Sequence, residues 1–246
     1  RLLNVADRSA QNGFSKDDIY NFPVSVPPRQ EQRKIASILD KAIAGITRAK
    51  DNEITNSKNT CEIFKSYLHS IFIEIDGNAV IKTLAELCDS ERIITYGVIK
   101  LGDEVFDGVP CLRTSNVRWL HINTEGMKRI SPSLSSEYSR TILNGGELLV
   151  NVRGTLGGVA VVGPEMSGWN VSREVAVVPV DHSRINPVYL SYFIGSGMAQ
   201  QWLGSVKKGA TYIGINIEDL RLLPVPVPKI EKQAEIVAQL TAIQSK

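Results

Sequence analysis

The sequence predicts an α+β protein, a mixed α/β domain attached to one long helix. Three observations predict it. Residues from about Gln30 to Ile75 contain no proline and only Gly45 as a weak spot; residues 76 to 223 hold short β-branched runs broken by Gly, Asn, Asp and Pro; and one pattern occurs twice.

The repeated pattern organises the chain. Residues 15–39 read SKDDIYNFPVSVPPRQEQRKIASIL and residues 216–240 read NIEDLRLLPVPVPKIEKQAEIVAQL. Matched residues stand 201 positions apart, as in Asp18 and Asp219, Pro23 and Pro224, Gln32 and Gln233, and Leu39 and Leu240. Proline fixes its own φ and pushes the preceding residue out of the helical region, so Pro23 to Pro28 and Pro224 to Pro228 read as extended connectors. Each is followed by apolar residues at helical spacing, Ile35, Ile38, Leu39, Ala42, Ile43 and Ile46 in the first copy. Both copies therefore mark a junction between a domain and a helix.

Helix-compatible residues run throughout 30–75, predicting one long helix or two nearly in line. At 1.5 Å per residue it is roughly 65 Å long, more than one small domain can cover. Its apolar stripe is dense at the ends, with Ile35, Leu39, Ala42 and Ile46 at one and Ile63, Phe64, Tyr67, Leu68 and Ile71 at the other. Residues 50–60, KDNEITNSKNT, are polar apart from Ile54. Such a helix reads as a spacer that docks partners, and its length favours that over an ordinary bundle helix.

In the region 76–223, VPCLRTSNV, GELLVNVRGTLGGVAVVG and REVAVVPV read as strands and hairpin turns. PVYLSYFIGSGMAQQWLGS reads as helix, with Tyr189, Leu190, Phe193 and Ile194 on one face.

Catalytic signatures are not found. Asn186-Pro187-Val188-Tyr189 lacks the second proline of a methyltransferase motif and fits a helix N-cap followed by proline at the first helical position. Arg153-Gly154-Thr155-Leu156-Gly157-Gly158 lacks the GK[ST] of a phosphate loop and fits hairpin glycines. His69, His121 and His182 have no metal-ligand spacing, and Cys61, Cys88 and Cys111 form no CxxC pair, so no metal site and a reduced, cytoplasmic protein are expected. No apolar run approaches the roughly 20 residues of a membrane span. The first residue is Arg1 rather than Met, which reads as a fragment or a trimmed product.

The formal net charge of +2 does not by itself indicate a polyanion partner. Local clusters of donors are more informative: Tyr96 and Lys100; Arg113, Thr114, Ser115, Asn116 and Arg118; Asn151, Arg153 and Thr155; Ser172 and Arg173; and Lys207, Lys208, Thr211 and Tyr212. Arg suits guanine, Asn suits adenine, and Ser, Thr and Lys suit phosphates. Ordinary surface loops have the same composition, and residue types alone do not separate the two.

The two junctions, IYNFPVSVPPRQEQRKIASIL and LRLLPVPVPKIEKQAEIVAQL, together with DGVPCLRTSNV, GELLVNVRGTLG and VKKGATYIGINIEDL, resemble the specificity subunit of type I restriction-modification enzymes over essentially the whole chain. The second junction departs by having Lys232-Gln233 where the first has Glu31-Gln32. The resemblance implies that residues 1–29 end a first target-recognition domain and 30–75 are the central conserved helix. Residues 76–228 would then be a complete recognition domain and 229–246 the start of a second helix that pairs with the first as an antiparallel coiled coil.

It further implies a non-catalytic subunit that reads one half of a split target in double-stranded DNA. DNA methyltransferase (modification) subunits, carrying S-adenosylmethionine, would dock on the helix through Ile35, Leu39, Ala42, Ile46, Ile63, Tyr67 and Ile71. A restriction subunit using ATP would join them, and self-association through the helices would restore two reading domains. Alternatives from other classes are the recognition portion of a fused methyltransferase or restriction enzyme, and a helical scaffold without a nucleic-acid role.

Overall fold

The computed structural model describes residues 16–77, 79–207 and 214–244. The chain divides into two compact units, residues 1–58 and 59–246.

The first unit holds α1 (Lys16–Tyr20), a connector without regular secondary structure, and α2 (Arg29–Asp76) as far as Lys58. The helix is a single one. It starts where Pro27 and Pro28 end, and nothing interrupts it, because no proline follows and Gly45 alone costs about 1 kcal/mol relative to Ala. Ile35, Leu39, Ala42, Ile43 and Ile46 are all exposed, as is the polar stretch 50–60.

In the second unit the rest of α2 packs on the domain through Phe64, Leu68 and Phe72, four residues apart and buried. Phe64 meets Trp119 with ring centroids 5.6 Å apart, and Phe72 meets Phe193 at 5.2 Å and Tyr189 at 5.5 Å. Ile63 and Tyr67 point outward, and Ile71 is half-buried at the edge of the core.

The domain's centre is a four-stranded antiparallel sheet in the order β2 (Thr95–Tyr96), β10 (Val175–Val178), β7 (Leu148–Asn151), β8 (Val159–Val161). Strands β10, β7 and β8 bury apolar side chains on both faces because both are covered. Leu148, Val150, Ala176 and Val178 face a helical layer, while Leu149, Ala160, Val175 and Val177 face a second sheet layer.

The helical layer contains α4 (Pro187–Gly195), α5 (Gly197–Ser205) and the end of α2. Asn186 caps α4, its Oδ1 accepting from the Val188 and Tyr189 N–H groups, with Pro187 at the first helical position as expected. Ser196 then ends α4 and caps α5, so the predicted helical segment is two helices rather than one. The second sheet layer has the order β6 (Lys128–Ile130), β3 (Val109–Leu112), β9 (Asn170–Val171), with α3 (Pro132–Glu137) following β6, while the hairpin of β4 (Val117–Arg118) and β5 (His121–Ile122) lies against β8 of the central sheet.

The second junction closes the unit. After α6 (Ile217–Arg221), the connector is strand β11 (Pro224–Val227), which pairs antiparallel with β1 (Val80–Thr83). Prolines are tolerated there because, among the described residues, the ribbon has two strands and each has a free edge. Helix α7 (Ile230–Gln244) follows and buries Gln233, Ile236 and Leu240.

Candidate nucleic-acid interface

The second unit brings several predicted donors together at neighbouring strand ends. Leu112 pairs in parallel with Val171, and the Ser172 N–H donates to the Leu112 carbonyl at 2.8 Å, so the loop that starts at Arg113 lies beside Ser172 and Arg173. The Arg173 N–H donates to the Val98 carbonyl at 2.9 Å, which brings in the segment after Tyr96. The Val152 and Arg153 N–H groups both donate to the Glu174 carbonyl, at 2.9 and 3.3 Å, so the tip after β7 joins the same cluster.

Asn151 is the tie between loops. Its buried Nδ2 donates to the carbonyls of Thr114, Val117 and Thr155, at 3.3, 3.1 and 3.0 Å. Gly158 makes the tie possible, since a Cβ there would collide with the Asn151 amide and the Val117 carbonyl. Gly154, with φ +69°, lets the tip reverse in the left-handed region that L side chains rarely adopt. Arg153 and Thr155 are left exposed on this tip.

Arg153 is further oriented by Tyr96, whose ring centroid lies 5.9 Å from the guanidinium carbon. Its backbone bridges to Gly214, just after residues 208–213. Lys208, Thr211 and Tyr212 lie outside the described residues; Lys207 is exposed two residues after α5.

The other predicted donors divide by burial. Ser115, Arg118 and Lys100 are exposed, Thr114 is half-buried, and Arg173 is exposed with an ion pair to Glu174 at 3.3 Å. Arg113 is half-buried, with one guanidinium N–H donated to the Gly126 carbonyl at 3.0 Å. Asn116 is buried, its Oδ1 accepting from the Arg113 N–H and its Nδ2 donating to the carbonyls of Asn123 and Glu125. Ser172 is buried too. In this structure Asn116, Asn151 and Ser172 face inward, and the first two shape the loops. Arg113 Nε, Asn151 Oδ1 and Ser172 Oγ lack a hydrogen-bond partner among the described residues, so the strand ends retain unused polar atoms.

Residue types did not reveal the roles of Gly158 and Glu174. The Gly157-Gly158 doublet reads only as a hairpin, although its second glycine is set by close approach. Glu174 supplies backbone as well as charge, which no residue-type argument shows.

No group of three or more His, Cys, Asp or Glu residues among the described ones is placed to hold a metal ion. Burial pushes the Cys88 and Cys111 thiols up to about 12, which leaves them protonated and unreactive at neutral pH. No described helix is long and apolar enough to cross a membrane.

Residues 1–56 and 79–246 match the family model described as type I restriction modification DNA specificity domain. Among curated proteins, the chain is 26% identical to the EcoBI specificity subunit of Escherichia coli, over 87% of this chain and 43% of that protein. It is 26% identical to the EcoKI specificity subunit of the same species, over 91% and 50%. The MjaVIII specificity subunit of Methanocaldococcus jannaschii is 23% identical, over 92% and 56%. The chain thus spans about half the length of the curated relatives it matches.

Two solved structures share the fold. One is a chain from work on assembly and conformational transition of the type I R-M system, with a TM-score of 0.67 and 20% identity, covering 99% of this chain and 60% of that one. The other is the HsdS subunit of Thermoanaerobacter tengcongensis, with a TM-score of 0.56 and 21% identity, covering 99% and 59%. With a family model spanning nearly all of its residues, the chain belongs to the type I restriction modification DNA specificity domain family.

Proposed function

We propose that this chain is a non-catalytic, sequence-reading part of a type I restriction-modification specificity subunit, and that its domain reads one half of a split target in double-stranded DNA. The observation that carries this is the cluster in which Asn151 ties the 113–117 loop to the 151–158 tip, with Arg153 exposed and oriented over Tyr96. Oriented Arg side chains on fixed strand ends suit bidentate contacts to guanine edges. Tyr96, Lys100, Thr114, Ser115, Arg118, Thr155, Arg173 and Lys207 supply further contacts to phosphates and base edges, and Arg113 contributes from the loop base. Lys208, Thr211 and Tyr212 belong to the same reading.

In the domain order proposed, residues 1–29 end a first recognition domain, 30–75 form the central helix, 76–228 the second domain, and 229–246 the start of a second helix. The exposed residues Ile35, Leu39, Ala42, Ile46, Ile63 and Tyr67, with half-buried Ile71, form the docking stripe for modification subunits and for an antiparallel partner helix. Those subunits, rather than this chain, would bind S-adenosylmethionine and methylate; a restriction subunit would use ATP. The complex would work in the cytoplasm, on genomic DNA.

The test is selection from a random duplex library by the chain assembled with its modification subunits. One enriched half-target, weakened at a defined position by Arg153→Ala, is expected; equal retention of all sequences contradicts the reading.

A further inference from the structure

The internal repeat extends to structure in a way that assigns a role to one residue type. Helix α1 (16–20) corresponds to α6 (217–221), and the starts of α2 (Arg29) and α7 (Ile230) also stand 201 residues apart. Gln233 Nε2 donates to the Pro228 carbonyl at 2.9 Å, and Gln32 Nε2 donates to the Pro27 carbonyl at 2.7 Å, the same bond at the same offset. Both side chains are thus folded back over the proline that opens their helix.

At the second junction the folded glutamine does more. Gln233 is fully buried; its Oε1 accepts from the Asn186 N–H at 2.7 Å and its Nε2 also donates to the Arg184 carbonyl at 3.4 Å. Asn186 is the cap of α4, so one side chain joins the first turn of α7 to the turn that starts α4. Apolar neighbours can pack with some slip, but these directional bonds fix one rotation and one height of the helix against the domain.

At the first junction the matching residues have no such cover. Val24 is 71% exposed where Val225 is 0%. Gln32 is exposed, and its Oε1 has no donor in any hydrogen bond found among the described residues.

We infer that Gln233 is a positioning residue that clamps the domain onto α7 at one angle and, resting on the proposed reading that residues 1–29 end a first recognition domain, that Gln32 is the same clamp set for that domain. That domain must present an unpaired strand equivalent to β1 and a helix-capping turn equivalent to residues 184–186. This chain's own domain does not qualify, because β11 and Gln233 already fill its strand edge and turn.

The experiment uses the full chain with Cys61→Ser, spin-labelled at Glu137→Cys and Ile243→Cys. Its readouts are the label-to-label distance distribution and hydrogen exchange at the Asn186 amide, both without DNA, so a failure here is separate from a failure of DNA reading. Gln233→Leu should broaden the distribution and speed Asn186 exchange at least tenfold, while Val177→Ala, a core change elsewhere in the sheet, should leave both as in the parent. A narrow distribution and a protected Asn186 amide in Gln233→Leu overturn the clamp. A graft in which residues 16–39 replace 217–240 tests the second half. It should keep the narrow distribution and the protected amide, and the same graft with Gln32→Leu should lose both. A graft that unfolds, or that is protected with or without the glutamine, overturns the equivalence.

Discussion

The Arg153 guanidinium lies over the Tyr96 ring, 5.9 Å from its centroid, and so joins the tip after β7 to strand β2 across the intervening β10. An exposed arginine ordinarily samples many rotamers. Here the ring contributes about 0.5–1 kcal/mol toward one of them. Arg153→Ala should weaken binding to the preferred half-target by about 1–3 kcal/mol and relax one base position. Tyr96→Leu should cost less, about 0.5–1 kcal/mol, with the preferred base unchanged. Fluorescence anisotropy on a panel of single-base variants separates the two.

Asn151→Ala should act on several loops together. Three carbonyls lose their donor at once, so a stability loss of about 1–3 kcal/mol is expected by urea unfolding. Discrimination should fall at more than one base position, in contrast to Arg153→Ala, because both the 113–117 loop and the 151–158 tip are released.

The two faces of α2 should separate in their effects. Leu68→Ala removes a fully buried side chain and should destabilise the second unit by about 2–5 kcal/mol. Ile35→Lys with Ile46→Lys changes exposed positions, so the melting temperature should stay nearly constant while co-purification with a modification subunit is lost.

The Glu147 carboxylate is buried and accepts from Arg92 Nη1 at 2.7 Å and from the Asn144 and Gly145 N–H groups, each at 2.8 Å. Burial alone would raise its pKa; the Arg92 hydrogen bond and the backbone donors outweigh it and hold the group below its ordinary value of 4.5. A carboxylate lowered on folding stabilises the fold above the unfolded pKa, and that contribution is lost as pH falls through the folded value. Stability should therefore drop on acidification below about pH 4.5, and Glu147→Gln should flatten that part of the curve. At pH 7 the same variant should cost about 3 kcal/mol, because Arg92 keeps its charge and loses its partner. Urea unfolding at a series of pH values checks both.

Local chemistry made much of the fold legible. Proline placement marked the extended second connector and the start of α2, and Asn186-Pro187 marked the start of α4, because both act within a few residues. Which side of α2 faces the domain was not legible: residues 63, 67 and 71 and residues 64, 68 and 72 are equally good helical stripes. Contacts with Trp119, Tyr189 and Phe193, remote in sequence, select the second. The break at Ser196 was missed because the apolar pattern runs through it, while a serine cap restarts the helix.

The candidate site was legible in its segments and less so in its side chains. Arg113, Asn151, Arg153 and Arg173 do meet at neighbouring strand ends. Residue type makes Asn116, Asn151 and Ser172 candidate donors to DNA, yet burial turns them inward, and an asparagine that faces DNA is written with the same letter as one that ties two loops. The glutamine at each junction is visible as part of the repeat, but the bond that Gln233 accepts from Asn186 depends on a turn 47 residues away in sequence.

Selection of duplex DNA from a random library, by the chain assembled with modification subunits at physiological salt, tests the central claim most directly. A single enriched half-target, bound at least about a thousandfold more tightly than unrelated duplex and losing about 1–3 kcal/mol per mismatched base pair, is the predicted result. Binding that is equal for all sequences, or absent with the subunits present, would contradict it.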